Sequence, residues 1–234
     1  YGTILRGLGK LQEAEIFTRK AIEMNPDFAD AHSNLGNILK DLGKLNEAEK
    51  CQLKAIKISP KFANAYYNLG IVLKDLNKLN EAEISTKKAI EIEPDFASAY
   101  SNLASILKEI RKINEAENCA RIAIKINPNL LESHINLGII LKDIGNLNQA
   151  KLSMLKAIQI SPASPEAHTV LGNIYKDLGK LNEAEFHFRK AIEIKPNFPE
   201  GFSNLANLLR DIGQYIEAIY CYKKAIKLDS KLSI

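Results

Sequence analysis

Tryptophan is absent from this 234-residue chain, and cysteine and methionine are scarce, at three and two residues. Cys51, Cys119 and Cys221 lie far apart and form no CxxC pair. A disulfide framework or a zinc site is therefore not expected, and a reducing cytoplasm is the expected compartment. No stretch approaches the roughly 18 consecutive apolar residues of a membrane helix. Nor does a charged-then-apolar leader open the sequence, so neither a membrane partner nor a signal peptide is expected. A dominant charge sign is missing too: 32 basic residues against 28 acidic ones leave +4, too even to point to nucleic acid. What remains is 46% hydrophobic and 26% charged, enough apolar content for an extended core and too much for a disordered chain.

Self-similarity settles the organisation. Pro26, Pro60, Pro94, Pro128, Pro162 and Pro196 follow one another at steps of 34 residues. Ala14 to Ala218 and Ala21 to Ala225 form two further series at the same step. With Ala29 as position 1, full repeats occupy 29–62, 63–96, 97–130, 131–164, 165–198 and 199–232, and 1–28 is a partial one. Proline at position 32 stops a helix, because it lacks an N–H and disfavours helix in the residue before it. Glycine at position 15 (Gly9, Gly43, Gly145, Gly179, Gly213) supplies a left-handed helix end. Asn77 tolerates that conformation in its repeat, whereas Arg111 is strained by it. Small residues at positions 8 and 20 let two helices approach closely. Between these punctuation marks apolar residues recur at helical spacing, as in Ala31, Leu35, Ile38, Leu39 and Leu42. A single helix hairpin cannot bury such a face alone, so neighbours must stack. The expected fold is all-α: a right-handed α-solenoid superhelix of about seven 34-residue hairpins, forming one array over 1–234.

Asn34-Leu35-Gly36, Leu39, Ala48, Ala55 and Pro60 resemble the tetratricopeptide repeat (TPR) signature, and the match recurs along the chain. Leucine replaces the usual tyrosine at 39, 73, 107, 141 and 209, while Tyr175 keeps it. The runs Ala29–Gly36 and Phe96–Ala104 are similar to the superhelical repeat region of O-GlcNAc transferases, without any match to a glycosyltransferase catalytic domain. The resemblance implies a protein- or peptide-binding scaffold whose first helices line a concave groove.

Catalytic and metal chemistry find no support in the residues. His32, His134 and His168 share position 4 with Tyr66, Tyr100 and Phe202, which marks a packing position. His187 shares position 23 with the cysteines, one per repeat, so no cluster is expected. Gly36 to Gly43-Lys44 has the wrong spacing for a phosphate loop. Glu47/Glu49 belongs to a Glu-Ala-Glu that recurs in five repeats, expected on a solvated helix face, whereas an enzyme needs one site. No enzyme activity and no cofactor are expected.

The polar face of the first helix, positions 2, 5, 6, 9, 12 and 13, is the candidate site. Position 6 carries Asn34, Asn68, Asn102, Asn136 and Asn204, interrupted by Val170. Position 12 is basic throughout, including Lys40, Lys74, Lys108, Lys142 and Lys176; position 13 carries Asp41, Asp75, Asp143 and Asp177. An amide both donates and accepts, so an asparagine ladder suits an extended peptide backbone, and O-GlcNAc transferases are similar in this respect. Two readings of the ladder stay open: it touches a ligand, or it bonds a neighbouring helix. The Lys and Asp ladders read first as a solvated face, and their opposite signs disfavour a phosphate-rich ligand. Position 5 holds no Lys or Arg, which disfavours a clamp for chaperone C-termini. Breaks in the pattern, at Ile135, Ile139 and Val170 and at Tyr67 and Ile71, are expected to be apolar spots flanking the amides. Tyr1 falls in mid-helix by the repeat register and Ser230 replaces a proline, so a trimmed chain with uncapped ends and self-association through terminal repeats are expected.

Overall fold

A computed structural model describes residues 2–229. Tyr1 and Ser230, on which the expectation of uncapped ends rests, lie outside them. Fourteen helices occupy the described residues, in pairs: α1 (Gly2–Gly7) and α2 (Leu11–Met24), α3 (Ala29–Asp41) and α4 (Leu45–Ile58), α5 (Ala63–Asp75) and α6 (Leu79–Ile92), α7 (Ala97–Glu109) and α8 (Ile113–Ile126). There follow α9 (Leu131–Asp143) and α10 (Leu147–Ile160), α11 (Pro165–Asp177) and α12 (Leu181–Ile194), α13 (Pro199–Asp211) and α14 (Tyr215–Asp229). The chain divides into two compact units, 1–128 and 129–234. Each unit is a solenoid of stacked 34-residue hairpins.

The turn inside each hairpin follows from local chemistry. Gly43 takes φ 75°, its N–H donates to the Lys40 carbonyl at 2.9 Å, and the Lys44 N–H donates to the Leu39 carbonyl at 2.8 Å. This double closure is a Schellman motif, which satisfies carbonyls that the helix end leaves open. The Lys44 carbonyl then accepts from the Ala48 N–H at 3.0 Å, so one residue closes α3 and opens α4. The return between hairpins uses the other stop: Ser59, before Pro60, ends α4 in extended backbone at φ −128°, as a residue before proline should.

Close approach of the paired helices depends on their small residues. Ala48, Ala55, Ala82 and Ala89 are fully buried. A methyl group on Gly172 would stand 2.6 Å from Phe188 Cε1, so α11 and α12 meet only because the side chain is missing. Across hairpins, Leu35, Leu39 and Ala48 of one repeat pack with Val72 of the next and with Ile22 of the one before. In the second unit Phe188 of α12 and Leu205, Leu208 and Leu209 of α13 do the same.

The recurring Glu-Ala-Glu is not simply a solvated face. Its second glutamate pairs with the lysine opening the second helix of the next repeat: Glu15 with Lys44 at 2.9 Å, Glu49 with Lys78 at 2.8 Å, Glu83 with Lys112 at 2.9 Å. Position 21 lies in the junction between repeats, where the Glu83 side chain keeps only 10% exposure.

Arg111 takes φ 65° where other repeats place glycine. Arg111→Gly should relieve left-handed strain and stabilise the first unit by about 1 kcal/mol, read as a higher urea midpoint. The Ser133 hydroxyl is buried with no hydrogen-bond partner, at a position where Ala31, Ala65, Ala99 and Ala167 stand elsewhere. Ser133→Ala should stabilise by about 1 kcal/mol, measured by thermal melting.

Candidate functional site

The face between consecutive first helices carries a pocket of about 200 Å³ in the first unit, lined by Arg6 of α1, Asn37 and Lys40 of α3, and Tyr67, Asn68 and Ile71 of α5. Four residues expected at the site, Lys40, Tyr67, Asn68 and Ile71, thus come together from two repeats.

A buried hydrogen-bond chain sets the amides. Gln52, fully buried on α4, has its Nε2 2.9 Å from the Ser33 backbone carbonyl. A carbonyl only accepts, so the nitrogen must lie on that side. The Gln52 Oε1 therefore faces the Ser33 hydroxyl, which donates to it at 2.9 Å. With its proton committed, Ser33 Oγ accepts from Asn68 Nδ2 at 3.1 Å. Asn68 consequently keeps its carbonyl oxygen unused. Gln52 Nε2 also donates to Asn37 Oδ1 at 3.2 Å, which leaves the Asn37 NH₂ unused. One lining amide thus holds a spare acceptor and the other a spare donor.

Of the other ladder asparagines, Asn102 donates to Thr86 Oγ1 at 3.1 Å. Asn34 and Asn204 are half-buried and make no side-chain hydrogen bond among the described residues, and Asn136 is half-buried. Asn68 and Asn102 do bond neighbouring helices, but through the NH₂ alone.

The charged ladders interlock between repeats. Arg6 reaches Asp41 at 2.6 Å and Lys176 reaches Asp211 at 2.6 Å. Lys40 and Lys142 lie 3.5 and 3.3 Å from the aspartate that follows each, Asp41 and Asp143, and Lys74 donates to Ser105 at 3.2 Å. Lys108 is half-buried, and Asp75 and Asp177 are exposed without an ion pair among the described residues. Partial burial would raise the Asp41 carboxyl, yet the Arg6 guanidinium and Lys40 hold it below its usual range.

Position 5 departs from expectation. Ile135 is buried at 7% exposure, as are Ser33, Ser101 and Thr169 at the same position. Ile135 therefore does not stand open beside the half-buried Ile139 and Val170, because position 5 is buried in most repeats, with Tyr67 lining the pocket as an exception. Gln52 was not legible as a site residue. The available signal was Gln52 itself, an amide at a position that holds Thr18, Thr86, Ala120, Met154, Phe188 and Tyr222 in other repeats.

The histidines act within the packing. His32 Nε2 lies 2.8 Å from the Pro26 carbonyl, and His168 Nε2 lies 3.1 Å from that of Pro162. His187 Nδ1 lies 2.9 Å from His168 Nδ1, because positions 4 and 23 face each other within a hairpin. The prolyl carbonyl requires a proton on His168 Nε2, so His187 is the donor in that contact. Desolvation lowers both pKa values, His187 to about 4 with the His168 charge adding to the effect. Burial likewise raises the Cys119 thiol to about 11, which keeps it protonated and unreactive. Among the described residues no three metal-ligating side chains come together, and no helix is long and apolar enough to cross a membrane.

Sequence models of the tetratricopeptide repeat match residues 1–28, 17–50, 63–96, 86–118, 131–164, 165–198 and 199–232, and a TPR repeat model matches 36–77. The chain belongs to the tetratricopeptide repeat family. A search of curated proteins returns no match. Among solved structures, the chain is similar to YrrB, described as a TPR protein with an unusual peptide-binding site, at 24% identity and a TM-score of 0.57, over 79% of this chain and 95% of that one. It is similar to TTC0263, a thermophilic TPR protein of Thermus thermophilus, at 23% identity and a TM-score of 0.69, covering 78% and 99%. It also resembles a chain of the APC/C hetero-tetramer Cut9-Hcn1, at 19% identity and a TM-score of 0.78, over 94% of this chain and 43% of that one.

The depressed histidines predict a pH dependence. Unfolded imidazole binds protons near pH 6.5 while the folded pair does not. Their stabilisation is complete above about pH 6.5 and is lost as pH falls toward 4. Thermal melts between pH 7 and 4.5 should show the second unit losing stability, and His187→Phe should flatten that slope.

Proposed function

We propose that this chain is a non-catalytic scaffold that binds extended segments of protein partners along its first helices. One observation carries the reading: Asn68 and Asn37 line the same pocket, one with a spare carbonyl oxygen and the other with a spare NH₂. A peptide group offers one N–H and one C=O, the complementary pair, independent of side-chain identity. Tyr67 and Ile71 beside them would seat a partner side chain, with Ile139 and Val170 in the second unit as a further apolar spot. YrrB supports the reading as a similar fold described with a peptide-binding site. On this proposal the ladder residues Asn34, Asn102, Asn136 and Asn204 extend the grip, and the seven repeats serve as one array with no cofactor.

A second reading makes the array the substrate-recruiting part of a larger enzyme such as a glycosyltransferase. It is supported by the runs Ala29–Gly36 and Phe96–Ala104 and by the recurrent asparagines. The sequence of the complete gene product decides it. Self-association through terminal repeats is supported at α14, where Ile216 is 90% and Ile219 54% exposed, at positions that hold Asn and Glu in most other repeats. Mass that rises with protein concentration would establish it.

The groove is tested by displaying a peptide library against the wild type and against Asn68→Ala. Enriched peptides should bind the variant about 10-fold more weakly, one lost hydrogen bond in a desolvated site, with circular dichroism unchanged. Equal binding by both proteins, or no enrichment, would overturn the reading.

A further inference from the structure

On the opposite side of the first unit, where consecutive second helices meet, the α2–α4 junction carries an ion rung beside its Glu–Lys pair that the α4–α6 junction lacks. Arg19 of α2 shows the intact rung: its guanidinium lies 2.8 Å from Glu15 of its own helix and 3.2 Å from Glu47 of the next repeat. Arg189 repeats it in the second unit, at 2.8 Å from both Glu185 and Glu217. Between α4 and α6 the residue in that register is Leu53. Glu81, the counterpart of Glu47, is exposed and has no ion-pair partner among the described residues, since Lys78 is held by Glu49 at 2.8 Å.

A pocket of about 520 Å³ opens at this junction, within the range of about 300–1,000 Å³ that small ligands and side chains occupy. Leu53, Leu69, Leu73 and Ile84 give it apolar walls, with Leu53 49% and Ile84 70% exposed. Its rim carries Glu49, Glu81 and Glu91 against Lys88 alone, and Lys88 is bound to Glu91 at 2.7 Å. The second unit has the same leucine, Leu155, yet Lys151 stands there where Glu49 stands here. Only the first of these two gaps is therefore acidic.

We infer that the α4–α6 pocket is a second docking site, for a partner segment that inserts an arginine flanked by apolar side chains. The guanidinium takes the place that Arg19 fills one junction earlier and bonds Glu81, and the flanking aliphatic groups cover Leu53 and Ile84. Arginine suits the site because its planar fork meets a carboxylate through two N–H donors while its stem lies on apolar surface.

The probe is the acetylated, amidated peptide Ala-Leu-Arg-Leu-Ala, titrated into the ¹⁵N-labelled full chain and followed by amide chemical shifts. Saturable shifts at Leu53, Glu81 and Ile84 are expected. A citrulline version, isosteric but uncharged, should bind about 10-fold more weakly, and so should the wild-type peptide to Glu81→Gln. Leu53→Arg should abolish binding by completing the ladder from within, without lowering the melting temperature, as Arg19 does in its own repeat. Asn68→Ala should leave this titration unchanged, which separates the site from the groove. Equal binding of the citrulline peptide, undiminished binding to Leu53→Arg, or no saturable shift at about 1 mM peptide would overturn the inference.

Discussion

The structure depends on a turn of three residues. A left-handed residue at position 15, with the two hydrogen bonds it permits, ends the first helix of each repeat at a fixed angle. The next residue then starts the second helix without a spacer, as Lys44 does between α3 and α4. The two helices are thereby held side by side before any tertiary contact forms. That proximity is tolerable only because Ala48, Ala82 and Gly172 place little or nothing between them. Having met so closely, a hairpin has no further surface of its own with which to cover Leu35, Leu39 or Leu73. Those residues are buried by the next hairpin, and the array follows from that need.

Every junction then has two margins, and the chain finishes them with different chemistry. Along the second helices of the first unit the margin is ionic, with glutamate at position 21 meeting lysine at position 16 of the following repeat. Such pairs sit near solvent and contribute about 0–1 kcal/mol each. Along the first helices the margin in the first unit is a neutral network through Gln52, Ser33, Asn37 and Asn68. Buried polar groups of this kind cost about 1–3 kcal/mol when left unpaired, so their orientation is tightly specified. The orientations of Asn37 and Asn68 are set by the fold, which on the proposed function would lower the entropy lost on binding a partner.

Both candidate sites arise where a repeated pattern is locally interrupted. Gln52 replaces an apolar or smaller residue and redirects the amides on either side of it. Leu53, its neighbour in sequence, stands where a guanidinium would pair with Glu81, which is left with no direct ion pair among the described residues. Because successive residues of a helix face different directions, these adjacent changes act on opposite margins of the same hairpin. A solenoid can acquire distinct surfaces in this way without altering the interior that stacks its repeats.

The period of 34, the helix boundaries at proline and glycine, the strained backbone at Arg111 and the packing role of position 4 were legible in the residues alone. Each is decided within a few bonds, by missing N–H groups, by φ and by which side of one helix is apolar. Less was legible where a side chain answers to another repeat. Position 5 read as groove and is buried at Ile135, and Glu49 read as solvated and is paired with Lys78; the contact of His187 with His168 went unread. The free oxygen of Asn68 is the sharpest case, since it follows from a chain of donors and acceptors that begins at the backbone carbonyl of Ser33. By itself the sequence determined what each hairpin is and that hairpins must stack, because local sterics and hydrophobic spacing suffice for both. Only the tertiary structure decided which polar groups remain unsatisfied at the surface, because hydrogen-bond direction depends on partners brought together from about 15 to 35 residues away.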